Sequence, residues 1–512
     1  MRIKICLVWF VALCLALAGT AAAQGPEEWQ PTYLDEPGVC DGAICGPSGA
    51  VIIETFPTIA GIDWEAFPPN PRRPYEPAPG GRVWHVAPGG DDAADGTAQA
   101  PLGTLDRAVE LAQSGDVILL ADGEYPVGLR DDTIYLDTPG VTLAAEHVGG
   151  AVLVPRDPEW AWLSGITARA DDLVIDGLVI RGFTRGYGVY FGRLDSPQRN
   201  LVLRHLRIEG AGDGIRSAIP DSGAPNPQPV IAGLLLYDVA LRDIEVVGFN
   251  CGEGPCNDVR IEALSVIMPG TGAGSGADAV AFESGDNVVV LNADVSGAAA
   301  DGIDLKVTRA AVANVIVHDL GRNGIKLWHS GDIINALVYN TDADAAIVFV
   351  GGGNDRILNS VIARHSPEAS AYAGTVAYDE PTEPGTLTIL NSIFYENSGA
   401  LWVSGAFDLD VRATLFYGSR NGQELIWALP QEIGVGEEEQ PFAALEAAGG
   451  GCCGFDFVDP GFVNPDAGDY HLAPGAFARD RGLADVAALP PFDLLGRPRV
   501  AGAGIDLGPY EE

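Results

Sequence analysis

Short apolar runs, broken by turn residues, recur along the middle of this chain at a fixed interval. Val288-Val289-Val290-Leu291-Asn292 leads to Ala293-Asp294-Val295-Ser296 and then to Asp301-Gly302-Ile303-Asp304-Leu305-Lys306. The next unit reads Ala311-Val312-Ala313-Asn314, Val315-Ile316-Val317-His318 and Asn323-Gly324-Ile325-Lys326-Leu327-Trp328. A third reads Ile333-Ile334-Asn335, Ala336-Leu337-Val338-Tyr339 and Ala346-Ile347-Val348-Phe349. Gly302 to Gly324 is 22 residues, and so is Gly324 to Ala346. Three short strands and three turns fill each period, and stacked units bury their apolar rows against one another. The pattern predicts an all-β chain wound as a single-stranded right-handed parallel β-helix of about a dozen coils.

Asn292, Asn314, Asn335, Asn359 and Asn391 fall at coil spacing, with His205 in the matching slot earlier. They are expected to stack at one turn, their amides hydrogen-bonding along the ladder. Coils extend from about Asp116 to Trp427. Ahead of them Thr104 is placed to cap a helix through Ala112, with Leu105, Ala108, Val109 and Ala112 on one side. Such a helix would close the first coil, an edge otherwise open to pairing. The chain divides into a leader (1–23), an extension with a proline-rich linker (24–81), the capped β-helix (82–427) and a C-terminal loop and tail (428–512).

Composition agrees. The chain has 66 Gly and 36 Pro yet is 47% hydrophobic, which suits many strands and tight turns and excludes disorder. Residues 1–23 read as a signal peptide: Arg2 and Lys4, the apolar stretch Ile5 to Leu17, then Ala21-Ala22-Ala23, so Gln24 begins the exported chain. Export outside the cell or to a periplasm is expected, without membrane insertion, as a monomer. Cys40 with Cys45 and Cys251 with Cys256 are each spaced to close a short loop. The pairing of the adjacent Cys452 and Cys453 is not readable from spacing. Removing Arg2 and Lys4 from the 30 basic residues leaves 28 against 70 acidic ones, a net −42. Nucleic acid is thereby excluded as a partner, and a polyanion needs a cation to offset the repulsion.

Strand alternation selects one outer face. Ile303 and Leu305 point inward, so Asp304 and Lys306 point outward. Glu283 is expected one coil earlier on that face and Lys326 and Trp328 one coil later. Tyr190 and Arg216 extend it toward the N-terminus, and Val348 and Val350 end its polar part. The exported chain has 26 arginines and two lysines, Lys306 and Lys326. Both lie on this face. Arginine keeps its proton, whereas lysine can act as a base. Asp278, Asp301 and Asp304, at successive coils, offer hard oxygen ligands for one Ca²⁺; Asp-Gly is also favourable turn chemistry, and Asp304 with Lys326 could be a plain surface pair.

The start of the helix from Trp84 and the C-terminal segments Asp459-Pro460-Gly461-Phe462 and Ile505-Asp506-Leu507-Gly508-Pro509-Tyr510 resemble secreted pectate-lyase-like β-helix proteins. That resemblance implies architecture and export. Asp301-Gly302-Ile303-Asp304-Leu305 and Asn323-Gly324-Ile325-Lys326-Leu327 resemble two segments of family-nine pectate lyases, the first a calcium-binding segment and the second the carrier of a base lysine. Ala300 stands where that family usually doubles the aspartate. The likeness implies β-elimination on a uronate polysaccharide. Ca²⁺ held by Asp278, Asp301 and Asp304 would neutralise the uronate carboxylate and acidify the neighbouring C5 proton. Lys326 would remove that proton. Lys306 would be a second candidate base or a cation for another uronate, and Trp328, Arg216, Tyr190 and Glu283 would contact an acidic or neutral polysaccharide. A lysine's reference pKa is ~10.4, so such a base needs a cation and partial burial to shed its proton. Two other readings stand beside it. Glu283 and Asp304, ~8 Å apart by strand spacing, would suit an inverting glycoside hydrolase. A non-catalytic surface or carbohydrate-binding protein would need no reacting groups.

Overall fold

A computed structural model describes residues 38–40, 43–45, 51–52, 59 and 61–512, apart from 129–132, 161, 194–195, 218–229, 253, 271–276, 343–344, 366–373, 379–384, 400, 404–406, 419–425, 429–438, 441–454, 457 and 487–488. The leader, the predicted cleavage point, Cys452 and Cys453 lie outside these residues, as do the side chains of Cys40 and Cys45.

Strands from Val83–Val86 to Ile426–Ala428 join one continuous sheet whose neighbouring coils pair in parallel. The repeat fixes the register. Val280, Ile303, Ile325 and Ile347 stack in one inward column, and Phe282, Leu305, Leu327 and Phe349 in the next. All eight are buried, as stacking of apolar rows requires. Gly302 and Gly324 precede two of these strands because space forbids more: a Cβ at Gly302 would lie 2.6 Å from the Gly324 carbonyl oxygen, and one at Gly324 2.6 Å from that of Ala346.

The helix Leu105–Leu111 begins at Thr104, whose hydroxyl accepts from the Arg107 N–H at 3.2 Å. Leu105, Ala108 and Ala112 are buried, and Val109 packs beside them against the first coil. Among the described residues no helix is long and apolar enough to cross a membrane.

The five asparagines share one turn column. Each takes a positive φ, between 48° and 58°, and His205, Asp238, Ala263 and Ala413 in the same slot take 46° to 56°. That left-handed geometry favours Asn, whose short amide tolerates it. Hydrogen bonding along the ladder is partial. Asn314 donates to Asn292 at 2.8 Å and Asn391 to Asn359 at 3.5 Å, but Asn335 donates to the Phe492 carbonyl and Asn391 also to that of Leu483. These two amides are turned outward to hold the C-terminal tail. Two further left-handed columns, such as Asp319 with Asn340 and Asp258 with Asn287, complete the turns.

Two of the three outer faces are covered by the chain itself. Ile59 and Phe67 pack on Leu291, Ala313, Ile334 and Leu358. Tyr470, Leu472, Leu494 and Leu507 pack on Leu337, Val361, Ile393 and Leu415. Arg499 pins the tail: buried to 2%, it pairs with the equally buried Glu511 at 3.2 Å and reaches Asn335. Arg499→Ala strands Glu511 in the interior and is expected to lose about 3–5 kcal/mol of local stability; early proteolytic release of the tail from an intact β-helix would report it. Cys251 and Cys256 form a disulfide across their short loop.

Candidate functional site

The third outer face holds the predicted residues in one register. Tyr190, Arg216, Asn250, Ala281, Asp304, Lys326 and Val348 are successive partners across coils. Asn250 is the member the sequence reading passed over. Its signal is the recurring Gly-apolar-X unit: Gly248-Phe249-Asn250 matches Gly214-Ile215-Arg216 and Gly302-Ile303-Asp304. Beyond Val348 the column continues through Val376 to Trp402. Trp328 and Trp402 pack against Val348, Val350 and Val376, so the polar part does end there.

Asp304 is outward by alternation yet only 6% exposed. Trp328, from the next coil, closes over it and donates its indole N–H to Asp304 Oδ1 at 2.7 Å. Both lysine ammoniums lie by that indole, Lys326 at 4.6 Å and Lys306 at 5.1 Å from the ring centroid, within range for cation–π attraction. Lys306 donates to Glu283 at 2.6 Å and stands 3.9 Å from Asp304. Among the described residues the Lys326 ammonium makes no hydrogen bond or ion pair within 4.0 Å. The two lysines thus differ: Glu283 fixes one, and the other lies over an aromatic ring beside a carboxyl.

Burial pushes the Asp304 carboxyl up to about 7. Lys326, Lys306 and the Trp328 N–H oppose the rise, and Asp301 adds to it. Lys306 is raised although burial pulls it down, because Glu283 and Asp304 favour its charged form. Farther along the face, Arg216 pairs with buried Asp213 at 2.6 Å, and Tyr190 stacks on Tyr187 at 5.0 Å.

The expected three-carboxylate calcium cage is not what the turn builds. Asp278 accepts the Asp301 N–H at 2.9 Å. Asp301 accepts both the backbone N–H and the amide of Asn323, at 3.1 and 2.9 Å. Asn323 in turn accepts from Ala345 N–H at 3.1 Å. Each side chain caps the next coil's backbone, in keeping with the turn chemistry of Asp and Asn. Among the described residues no three His, Cys, Asp or Glu side chains form a metal-holding group. Among the described residues Asp278, Asp301 and Asp304 are turned to separate hydrogen bonds through one oxygen each and do not converge as a metal-holding group. The hydrolase geometry is also altered: the Lys306 ammonium stands between Glu283 and Asp304, where an inverting enzyme needs a water.

Buried carboxyls give a pH signature. Asp304 and Asp355 are raised to about 7, each first by burial. An unfolded carboxyl titrates near ~4, so folding binds protons between that pH and these values, and stability falls as pH rises through the interval. His318 acts in the same direction. Asp294 and Asp319 outweigh its burial and raise it to about 9, so its contribution is full below ~6.5 and lost through 9. The thermal midpoint is therefore expected to be higher at pH 5 than at pH 8. Asp304→Asn should flatten that fall; an unchanged slope would contradict the burial of its carboxyl.

A family model described as "Protein of unknown function (DUF1565)" matches residues 88–143, which hold the capping helix and the first coils. No curated protein matches the chain. Among solved structures, the chain is similar to the pectate lyase Pel9A at 12% identity, with 84% of this chain and 96% of that one covered and a TM-score of 0.43. It is similar to the Azotobacter vinelandii mannuronan C-5 epimerase AlgE4 A-module at 15% identity, covering 65% and 94%, with a TM-score of 0.37. A lacto-N-biosidase from Eubacterium ramulus is similar at 13% identity, covering 64% and 65%, with a TM-score of 0.38. The architecture rests on the strand register itself and not on these likenesses.

Proposed function

We propose that this protein is an exported polysaccharide lyase that cleaves a uronate-containing chain by β-elimination, with Lys326 as the base. The observation that carries the reading is the unequal pair of lysines. Among the described residues the Lys326 nitrogen makes no ion pair within 4.0 Å; it lies over Trp328, and Lys326 is next to Asp304 in register. A base must reach a substrate proton, and the outer face is where a substrate can lie. The resemblance of Asn323-Gly324-Ile325-Lys326-Leu327 to the base segment of family-nine pectate lyases supports the same assignment.

In the proposed reaction neutral Lys326 takes the C5 proton of a bound uronate. The electron pair left on C5 forms the C4–C5 double bond, and the C4–O bond breaks toward the departing sugar oxygen. The flanking Trp328 gives a sugar ring an aromatic surface, and Arg216 and Tyr190 extend the contact along the coils. Calcium, which the resemblance implies, would neutralise the uronate; no step is assigned to it, because Asp278, Asp301 and Asp304 already hold protein partners.

The test is digestion of a panel of uronate polysaccharides across pH 6 to 10. An unsaturated, ultraviolet-absorbing product is expected, at a rate that rises toward alkaline pH as a lysine base requires. Saturated reducing ends in its place would move the assignment to hydrolysis by Asp304 and Glu283.

A further inference from the structure

We infer that Lys306 is the site's built-in cation: its ammonium, held by Glu283 beside Asp304, receives the substrate's uronate carboxylate without a bound metal. The inference rests on the lyase reading and names how that site recognises an acidic sugar. An ammonium has three N–H donors, and Glu283 takes one at 2.6 Å. The Glu283 side chain is 47% exposed. An exposed pair of this kind holds weakly, so a substrate carboxylate can share or displace Glu283 with little loss. Asp304, 3.9 Å away, and the Trp328 ring hold the ammonium on its inner side. The three carboxylates that would have ligated a divalent ion have other work: Asp278 and Asp301 cap backbone N–H groups, and Asp304 takes the indole N–H. In a chain with a net charge of −40, an acidic polymer also needs a fixed positive group where it lands.

The test is calorimetric titration with trisaccharides of galacturonate, mannuronate and guluronate, and with their carboxyl-reduced neutral forms, in chelator and in calcium. At least one acidic trimer is expected to bind in chelator with an affinity within about twofold of that in calcium. Lys306→Met should weaken that binding by about tenfold or more, the worth of a lost charged hydrogen bond, and leave any binding of the neutral trimers unchanged. Lys306→Arg should restore most of it, since the role is charge. Loss of binding in chelator with recovery on adding calcium would overturn the inference. So would full affinity in Lys306→Met, or no acidic trimer bound by the wild type under either condition. Binding that follows this pattern, with no unsaturated product from any polymer, would leave the inference standing and remove the lyase reading.

Discussion

Lys326→Arg is expected to lower turnover on a cleaved uronate polysaccharide by about 10²- to 10⁴-fold, the range of a general-base contribution, with folding and substrate affinity nearly intact. Arginine keeps the charge and most of the length, so its electrostatic effect on Asp304, its partner in register, survives. What it removes is an amine that can give up its proton and act as a base, which a guanidinium cannot. Lys306→Arg should cost far less, since Glu283 already holds that side chain as a cation. Steady-state kinetics with matched thermal melts decides the point. If Lys306→Arg is silent and Lys326→Arg inactive, the base is Lys326; the reverse would assign it to Lys306. Two active variants would acquit both lysines.

Trp328→Ala should have the second-largest effect. It deletes the N–H that reaches Asp304, the ring beside both ammoniums, and part of the apolar cover over Val348 and Val350. A carboxyl only 6% exposed loses its indole donor, a loss of about 1.5–3 kcal/mol for a bond to a charged group. The aromatic contacts add about 0.5–2 kcal/mol each where desolvated. Turnover should fall more than tenfold, and the denaturant midpoint should drop without a change in slope. Trp328→Phe keeps the ring and loses the N–H, so an intermediate effect is expected. A Phe variant as impaired as Ala would put the hydrogen bond above the ring.

Much of this site was legible because strand alternation and coil spacing are strict. A residue two before or after Asp304 must share its side of the sheet, and Gly-apolar-X units mark the outward position coil by coil. Tyr190, Arg216, Asp304 and Lys326 therefore fell into one column from sequence alone. Asn250 did not, because the loop closed by Cys251 and Cys256 breaks the period just after it. Alternation states which side a residue faces and not what lies over it, so the burial of Asp304 beneath Trp328 was not foreseeable. Carboxylates at successive turns looked like a cation cage for a similar reason. Spacing brings Asp278 and Asp301 to neighbouring turns, but the hydrogen bonds that turn them onto backbone N–H groups depend on side-chain direction. The covering of the other two faces was hidden as well, since the segments around Phe67 and Tyr470 carry no coil period.

Elimination at the outer column of Tyr190, Arg216, Asp304 and Lys326 is tested most directly by the mass balance of the reaction. Digestion of a uronate polysaccharide in water enriched in heavy oxygen, followed by mass spectrometry, separates the chemistries. Elimination adds no water, so the products should sum to the mass of the parent chain, carry a double bond at the new non-reducing end and contain no solvent oxygen at the cleaved bond. Products heavier by one water per cleavage, labelled with solvent oxygen and lacking the double bond, would contradict the account.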